Sequence, residues 1–354
     1  MKKMAVVEWG GPLAVVEAET PVPTGAQVLL RTEVCGVCHT DVHVWDGYFD
    51  LGIKGKASFA ARGMKLPFTL GHEIVATVAK AGPDAKGIEV GKSYIVYPWI
   101  GCGTCPQCIA GNELMCTQGR ALGLRCDGGY ADHVLIPDAK YLVPYDSIPK
   151  ELACTFACSG ITALSALKKV LPLAADDWLC IVGAGGLGAS ALQIARALTN
   201  TKILVLDVDA KKLDTARAAG ADAVIDSSQP DAVAQIMKLT GGVAATVDFV
   251  GSGDTLSLDI DMARRGGHIV LVGLFGGSTT IAPLAITSKV LRIEGSYVGT
   301  LQDLKDLVEL AKTGAVPPIP ITIRPMSEAT DALTGLKTGG KINGRQVLET
   351  NFDA

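Results

Sequence analysis

Two hydrophobic rhythms divide the chain. Up to about residue 150, short alternating runs such as QVLLRTEV (27–34) and EIVATVAKAG (73–82) sit among glycines and prolines. Alternation at a period of two predicts half-buried strands, so this region reads as an irregular, mostly β unit. From Asp177 the runs become continuously apolar: WLCIVGA, KILVLDVD, AVIDS, ATVDFVG, HIVLVGLF and LRIEGSYVG. Helical patterns separate most of them, among them GASALQIARALT (188–199) and AKKLDTARAAG (210–220). Continuously apolar strands alternating with amphipathic helices imply a parallel sheet covered on both faces. Six such strands predict an α/β, doubly wound dinucleotide fold. After about Val298 come one helical stretch, LQDLKDLVELAKTG (301–314), and the proline-rich VPPIPITIRP (316–325). That tail suits neither a seventh strand nor a separate domain, and is expected to return to the first unit.

Composition narrows the class. A chain of 354 residues, 48% of them hydrophobic, suits two domains. A formal net charge of −4 and a pI near 5.8 argue against a nucleic-acid partner. The opening MKKMAVVEWGG reaches Glu8 too soon for a secretory leader. The most apolar later window, 178–198, carries four glycines and Arg196 and makes a poor membrane span. A soluble, cytoplasmic protein with no membrane partner is the expectation. Ten cysteines in such a setting point to metal or redox chemistry before disulfides.

Three motifs carry the chemistry. In IVGAGGLGASALQIA, Gly183, Gly185, Gly186 and Gly188 lie between a predicted strand and a predicted helix, with Leu187 among them. Asp207 ends the next strand about 20 residues on, which is the dinucleotide pattern. The glycines admit a pyrophosphate to the helix N-terminus. Asp207 would accept hydrogen bonds from the adenosine ribose and repel a 2′-phosphate, and no arginine follows it. NAD is therefore expected over NADP. The second motif is GCGTCPQCIAGNELMC, where Cys102, Cys105, Cys108 and Cys116 are spaced C-x2-C-x2-C-x7-C. Four thiolates so close can close a tetrahedral, structural zinc site. An iron–sulfur cluster is the rival, but its usual continuation, x3-C-P, is absent.

The third is the stretch EVCGVCHTDVH (33–43), with two cysteines and two histidines. A catalytic zinc needs three protein ligands and an open position. Cys38 supplies one thiolate, His72 in LPFTLGHEIV a nitrogen, and Cys158 in FACSGITALSALKK a second thiolate before the dinucleotide unit. Cys154 competes with Cys158, and each residue alone reads equally well as core.

The chain resembles the zinc-dependent medium-chain alcohol dehydrogenases over essentially its full length. GVCHTD, GHE-x4-V, GCxxCxxCxxGxxxxC, GAGGLG and GRQVL occur in that family's order. The resemblance implies a GroES-like catalytic domain (1–158 and 298–354), with a zinc lobe near 99–117, and a Rossmann NAD-binding domain (159–297). It implies Cys38, His72 and Cys158 as catalytic zinc ligands, Glu73 as a transient one, and Asp41 as the carboxylate that orients the histidine. Thr40 and His43 match a proton relay. His39 and Arg345 match positions near the cofactor pyrophosphate, Lys212 one near the adenosine ribose, and Thr162 one against the nicotinamide. Val250, Val272, Leu274 and Tyr297 match further cofactor contacts. The implied activity is reversible oxidation of an alcohol to an aldehyde or ketone with NAD(H) and two zinc ions per chain. The implied assembly is a homo-oligomer; the short segment around Cys126 lacks residues of the dimeric animal relatives, which favours a tetramer. Cys35, Cys126 and Cys180 read as structural.

Two alternatives remain, a zinc-independent quinone or enoyl reductase and a non-catalytic cofactor-binding relative. The first lacks the zinc ligands; the second would be expected to lose a ligand or a relay residue. One departure from the family is an inserted IKGKASFAARGMK (53–65), read either as a solvated loop or as a lid that recognises a larger or acidic group. Trp45, Phe49, Trp99 and Leu274 are candidates for the substrate pocket.

Overall fold

The computed structural model describes residues 1–339 and 344–352. In the second half, six parallel strands form one sheet: β1 (Trp178–Val182), β2 (Lys202–Asp207), β3 (Ala223–Asp226), β4 (Val243–Asp248), β5 (Ala263–Leu271) and β6 (Arg292–Gly295). Their order is β3-β2-β1-β4-β5-β6, all neighbours parallel. The order reverses between β1 and β4, which leaves a crevice beyond their C-terminal ends. Residues Leu179 to Val182 and all of β4 are buried, as strands sandwiched by helices must be. Strand β5 begins earlier than its apolar run, at Ala263 opposite Val243; the register then shifts across the polar RRGG segment, and pairing resumes with His268 opposite Ala245.

In the first half, a second sheet is built around Val28–Val37, which pairs antiparallel with Glu73–Ala81 and with His133–Ile136. The tail supplies two more strands to it. Arg345–Glu349 runs antiparallel to Val28–Val37, with Leu348 opposite Cys35, and Ile321–Pro325 lies parallel beside it. The proline-rich segment thus becomes an edge strand, where a missing backbone N–H does least harm. A three-stranded sheet of Ala14–Glu17, Lys2–Val6 and Phe68–Thr69 completes this half. Among the described residues no helix is long and apolar enough to cross a membrane.

The inserted segment is not an unstructured loop. Tyr48–Asp50 pairs antiparallel with Lys56–Ser58, and short 3-10 turns at Gly52–Lys54 and Ala60–Arg62 flank the second strand. Phe59 anchors it: the side chain is buried against Phe49 at 5.1 Å, and its N–H donates to the Gly47 carbonyl at 2.9 Å. The hairpin tip reaches the other half of the molecule, where the Ile53 N–H donates to Ser278 Oγ at 3.0 Å.

One buried group serves the fold and no obvious chemistry. Asp259 is fully buried near Asp248, and neither of its oxygens has a hydrogen-bond partner. Burial, then the Asp248 charge, pushes its carboxyl well above the usual range. Folding therefore retains a proton on Asp259 that the unfolded chain releases near pH 4. The native state binds the extra proton, so this group's contribution to stability declines as pH rises above that value. Thermal unfolding between pH 5 and pH 8 checks this: Asp259→Asn is expected to flatten the decline in Tm and to gain most at the alkaline end.

Candidate active site

The helix His39–Asp46 starts at Cys38, whose backbone is extended at φ −119° and ψ 157°. Asp41, in the first turn, folds back so that its Oδ2 accepts the Cys38 N–H at 2.9 Å. Its Oδ1 accepts the Gly71 N–H at 3.1 Å and lies 3.2 Å from His72 Nδ1. One carboxylate thus fixes three points on two separate segments. A proton on Nδ1 donated to Asp41 leaves Nε2 as the bare nitrogen, and Nε2 is buried without a partner. A buried, unsatisfied nitrogen is costly unless something electrophilic meets it.

What it faces is a pair of sulfurs. Cys38 Sγ and Cys158 Sγ are 3.9 Å apart, and the ligand atoms of Cys38, His72 and Cys158 all lie within 4.8 Å of one another. All three residues are buried. The hydrogen bond from Cys158 holds the Cys38 thiol well below its ordinary range, and the same bond, with burial, pushes Cys158 up. The two sulfurs share a proton that a divalent cation would replace. This donor set, two soft thiolates and an imidazole, fits zinc. Cys158 comes from a single π-helical turn, Phe156–Gly160, at the entrance to the helix Ile161–Val170. Cys154 sits one turn earlier with its thiol on the Glu151 carbonyl at 3.3 Å, outside the cluster.

Glu73 is adjacent and engaged. Its Oε1 accepts the Ser159 N–H at 3.1 Å and its Oε2 pairs with the Arg345 guanidinium. Burial raises its carboxyl to about 7, against the pull of Arg345. Gly36 makes room: a Cβ there would collide with the Glu73 carboxylate. Arg345 therefore has a second role beside the one the sequence suggested. It lies against Gly186 at the glycine-rich turn, yet one guanidinium nitrogen is committed to Glu73, while its buried Nε has no partner.

Along the same helix, Thr40 is half-buried and His43 follows one turn later, its ring 5.1 Å from Phe49 and 6.3 Å from His39. Burial and then the His39 charge lower the His43 pKa, which keeps its imidazole uncharged at neutral pH. Burial lowers His39 as well, and the charges of Arg345 and Lys212 press in the same direction. Arg345 and Lys212 thus place positive charge beside an imidazole that stays uncharged at neutral pH.

The dinucleotide turn has the geometry of a cradle. Gly183 is left-handed at φ 93°, and a Cβ on Gly188 would strike the Gly183 carbonyl. Gly185 faces open space, as a backbone that receives a phosphate must. Asp207 holds the cradle together: Oδ2 accepts the Ala184 N–H at 2.7 Å, while Oδ1 accepts the Val208 and Asp209 N–H groups. Leu187 is half-buried on the first turn and Val250 packs beside Gly183. Thr162 is buried with its hydroxyl unpartnered, and Val272 is buried at the end of β5. These features fit a dinucleotide.

The four-cysteine lobe closes on itself. Cys105 and Cys108 sulfurs are 3.5 Å apart, Cys105 and Cys116 3.8 Å, and Cys102 and Cys108 3.9 Å. The Cys105 N–H donates to Cys102 Sγ and the Cys102 N–H to Cys116 Sγ, each at 3.3 Å. Hydrogen bonds from Thr104 and Cys105 hold Cys102 down at about 6, favouring a thiolate. Four converging sulfurs, enough to fill a tetrahedral shell, fit a structural zinc. Cys35, Cys126 and Cys180 lie outside both clusters and every cysteine is free.

Beside the three-ligand cluster is a cavity of about 810 Å³. Trp99, whose ring lies 5.5 Å from that of His72, and Phe49 are in its wall. Two pocket expectations are corrected. Trp45 is core, its indole donating to the Gly11 carbonyl beneath Lys337, because the helix turns that face toward the tail. Leu274 projects from the end of β5 into solvent, 43% exposed, and does not line the cavity. Tyr297, expected against the cofactor, stands edge-on to Trp99 at 5.8 Å in the cavity wall. Phe59, Arg62, Met64, Lys65 and Arg125 also line it, unanticipated as individuals. The lone buried aromatic of the insertion, Phe59, was the available signal.

Residues 24–149 match the family model of the alcohol dehydrogenase GroES-like domain, and residues 186–313 that of the zinc-binding dehydrogenases. An NAD-dependent alcohol dehydrogenase of Sulfurisphaera tokodaii is 38% identical over 352 residues, covering 98% of this chain and 99% of that protein. The chain belongs to the zinc-dependent, NAD-linked alcohol dehydrogenases. An alcohol dehydrogenase of Geobacillus stearothermophilus is 34% identical over 99% of this chain and all of its own. Among solved structures, the alcohol dehydrogenase of Aeropyrum pernix superposes with a TM-score of 0.86 at 33% identity, covering 99% of this chain and 100% of that one.

For an alcohol dehydrogenase with two separate thiolate clusters, metal content and folding should separate by substitution. Elemental analysis is expected to give two zinc ions per chain, and one each for Cys158→Ser and Cys105→Ser. Only Cys105→Ser is expected to lower Tm substantially, by about 5 °C or more, since its site closes a polar loop.

Proposed function

We propose that the enzyme interconverts a primary or secondary alcohol and its aldehyde or ketone, with hydride exchange to NAD⁺. The observation that carries this is the convergence of Cys38, His72 and Cys158 with an unsatisfied Nε2. Bound there, zinc would supply a Lewis acid that favours the deprotonated alcohol, and the nicotinamide the hydride acceptor. Everything else falls to the chain. Asp41 fixes the ring and tautomer of His72. Thr40 receives the alcohol proton, and His43, uncharged at neutral pH, carries it toward solvent. Trp99 and Phe49 cover the two histidines on the cavity side and exclude water. Glu73, raised to about 7 and restrained by Arg345, would be available as a further carboxylate ligand to a metal held by Cys38, His72 and Cys158.

Asp207, with Oδ2 on the Ala184 N–H of the cradle and Oδ1 on the N–H groups of Val208 and Asp209, supports NAD as the preferred cofactor, with Lys212 and Arg345 as cationic contacts and His39 as an uncharged one. We take 1–158 with 298–354 as the catalytic domain and 159–297 as the cofactor domain, a division supported by the two separate sheets. A cytoplasmic, tetrameric protein is consistent with ten free cysteines and the short segment around Cys126.

The deciding experiment is initial rates of NAD⁺ reduction over short primary, branched secondary, cyclic and aryl alcohols, with a chelator-stripped control. Turnover abolished by chelation and restored by zinc is expected; chelator-resistant turnover would refute the reading. The relay has its own signature. His43→Gln is expected to lower kcat roughly 10–100-fold, with partial recovery in imidazole buffer, whereas a structural role would not respond to the buffer.

A further inference from the structure

We propose that the cavity selects alcohols carrying an anionic oxyacid group, carboxylate or phosphate, remote from the reacting hydroxyl, and that Arg62 and Lys65 of the inserted hairpin receive it. This rests on the alcohol-oxidation reading above and specifies its substrate class.

The cavity is larger than a short alcohol requires, about 810 Å³, within the range of sites for ligands of drug size. Its inner wall is aromatic, with Phe49 and Trp99 backing onto His43 and His72. Its charged lining is one-sided. Arg62 and Lys65 come from the insertion and Arg125 from the wall that follows the four-cysteine lobe. Among the described residues, the side chains of Arg62 and Lys65 meet no carboxylate and no hydrogen-bond acceptor, whereas Arg125 donates to the Thr117 carbonyl at 2.8 Å.

The one carboxylate in the lining is already consumed. Glu113 accepts Lys140 Nζ at 2.8 Å, the Tyr141 hydroxyl at 2.6 Å and the Gly101 N–H at 2.9 Å. It is thus neutralised from behind and leaves the cavity electropositive. The cations are also held in place rather than carried on a free loop. Phe59 is buried, the Met64 N–H donates to the Phe59 carbonyl at 3.1 Å, and the hairpin tip is tied to Ser278. A cavity with an aromatic inner wall and unpaired cations on the insertion matches a molecule with an apolar middle and an anionic end. In the reaction the hydroxyl carbon loses hydride to NAD⁺ and its oxygen a proton to the relay; the distal anion is unchanged.

The test uses the full-length, zinc-loaded enzyme and a matched series of linear alcohols, four to ten carbons long. Each ends in a carboxylate, a phosphate monoester, a methyl ester or a second hydroxyl. At low ionic strength the anionic members are expected to exceed the methyl ester about tenfold in kcat/KM, chiefly through KM. Their order identifies the natural anion. The preference should shrink toward unity at 0.5 M salt, since both cations are exposed. In the Arg62→Gln/Lys65→Gln variant the ratio of acid to ester should approach one. Calorimetric titration with saturated monocarboxylates lacking the hydroxyl should show binding that this variant loses. Equal or better use of the ester by the unmodified enzyme overturns the proposal, and needs no variant to fold. Should no alcohol be oxidised, the alcohol reading itself falls, and carboxylate binding then decides the cavity's charge selectivity alone.

Discussion

The structure turns on one carboxylate. Asp41 accepts from Cys38, Gly71 and His72 at the same time, and so ties the N-terminus of a helix to the turn before a strand. Without it three buried donors would lose their partner, each a penalty of about 1–3 kcal/mol. Its consequence is directional. With Nδ1 committed, His72 can offer only Nε2, and that nitrogen is aimed at two sulfurs that arrive from opposite sides of the sequence. The polar core here is fully ordered yet incomplete, since the orphaned nitrogen and the proton-sharing thiols are satisfied together only by a cation.

Much of this was legible in the residues because the relevant signals are local. Continuous apolar runs spelled out all six parallel strands, and the glycine spacing with Asp207 marked the crevice between β1 and β4. The four-cysteine spacing is likewise a local property, and those sulfurs do converge. The three-ligand cluster was a different matter. Cys38, His72 and Cys158 are far apart in the chain, and nothing near any of them says which others it will meet. Here the likeness to a family did what pattern could not.

The misses have physical causes. Trp45 and Leu274 were assigned to the pocket by position, but a helix and a strand end each present several faces, and periodicity does not say which faces the void. The pairing of Glu73 with Arg345 joins residues on neighbouring parts of one sheet that are remote in sequence, so no spacing could announce it. The hairpin at 48–58 was hidden because its strands are only three residues long and carry polar side chains. The tail was read correctly in outline because its prolines excluded the interior of the parallel sheet, although the register of Arg345–Glu349 against Val28–Val37 required coordinates.

The bond from Ile53 to Ser278 has a wider meaning. It is a strut between the half of the molecule that holds the metal ligands and the half that holds the nucleotide cradle. Gly52 lies so close to Ser278 that any side chain there would collide with it. Rotation of one half away from the other must therefore either break this strut or drag the cavity wall along. Cofactor exchange and the shape presented to substrate are in that sense a single mechanical coordinate, with the hairpin as its linkage.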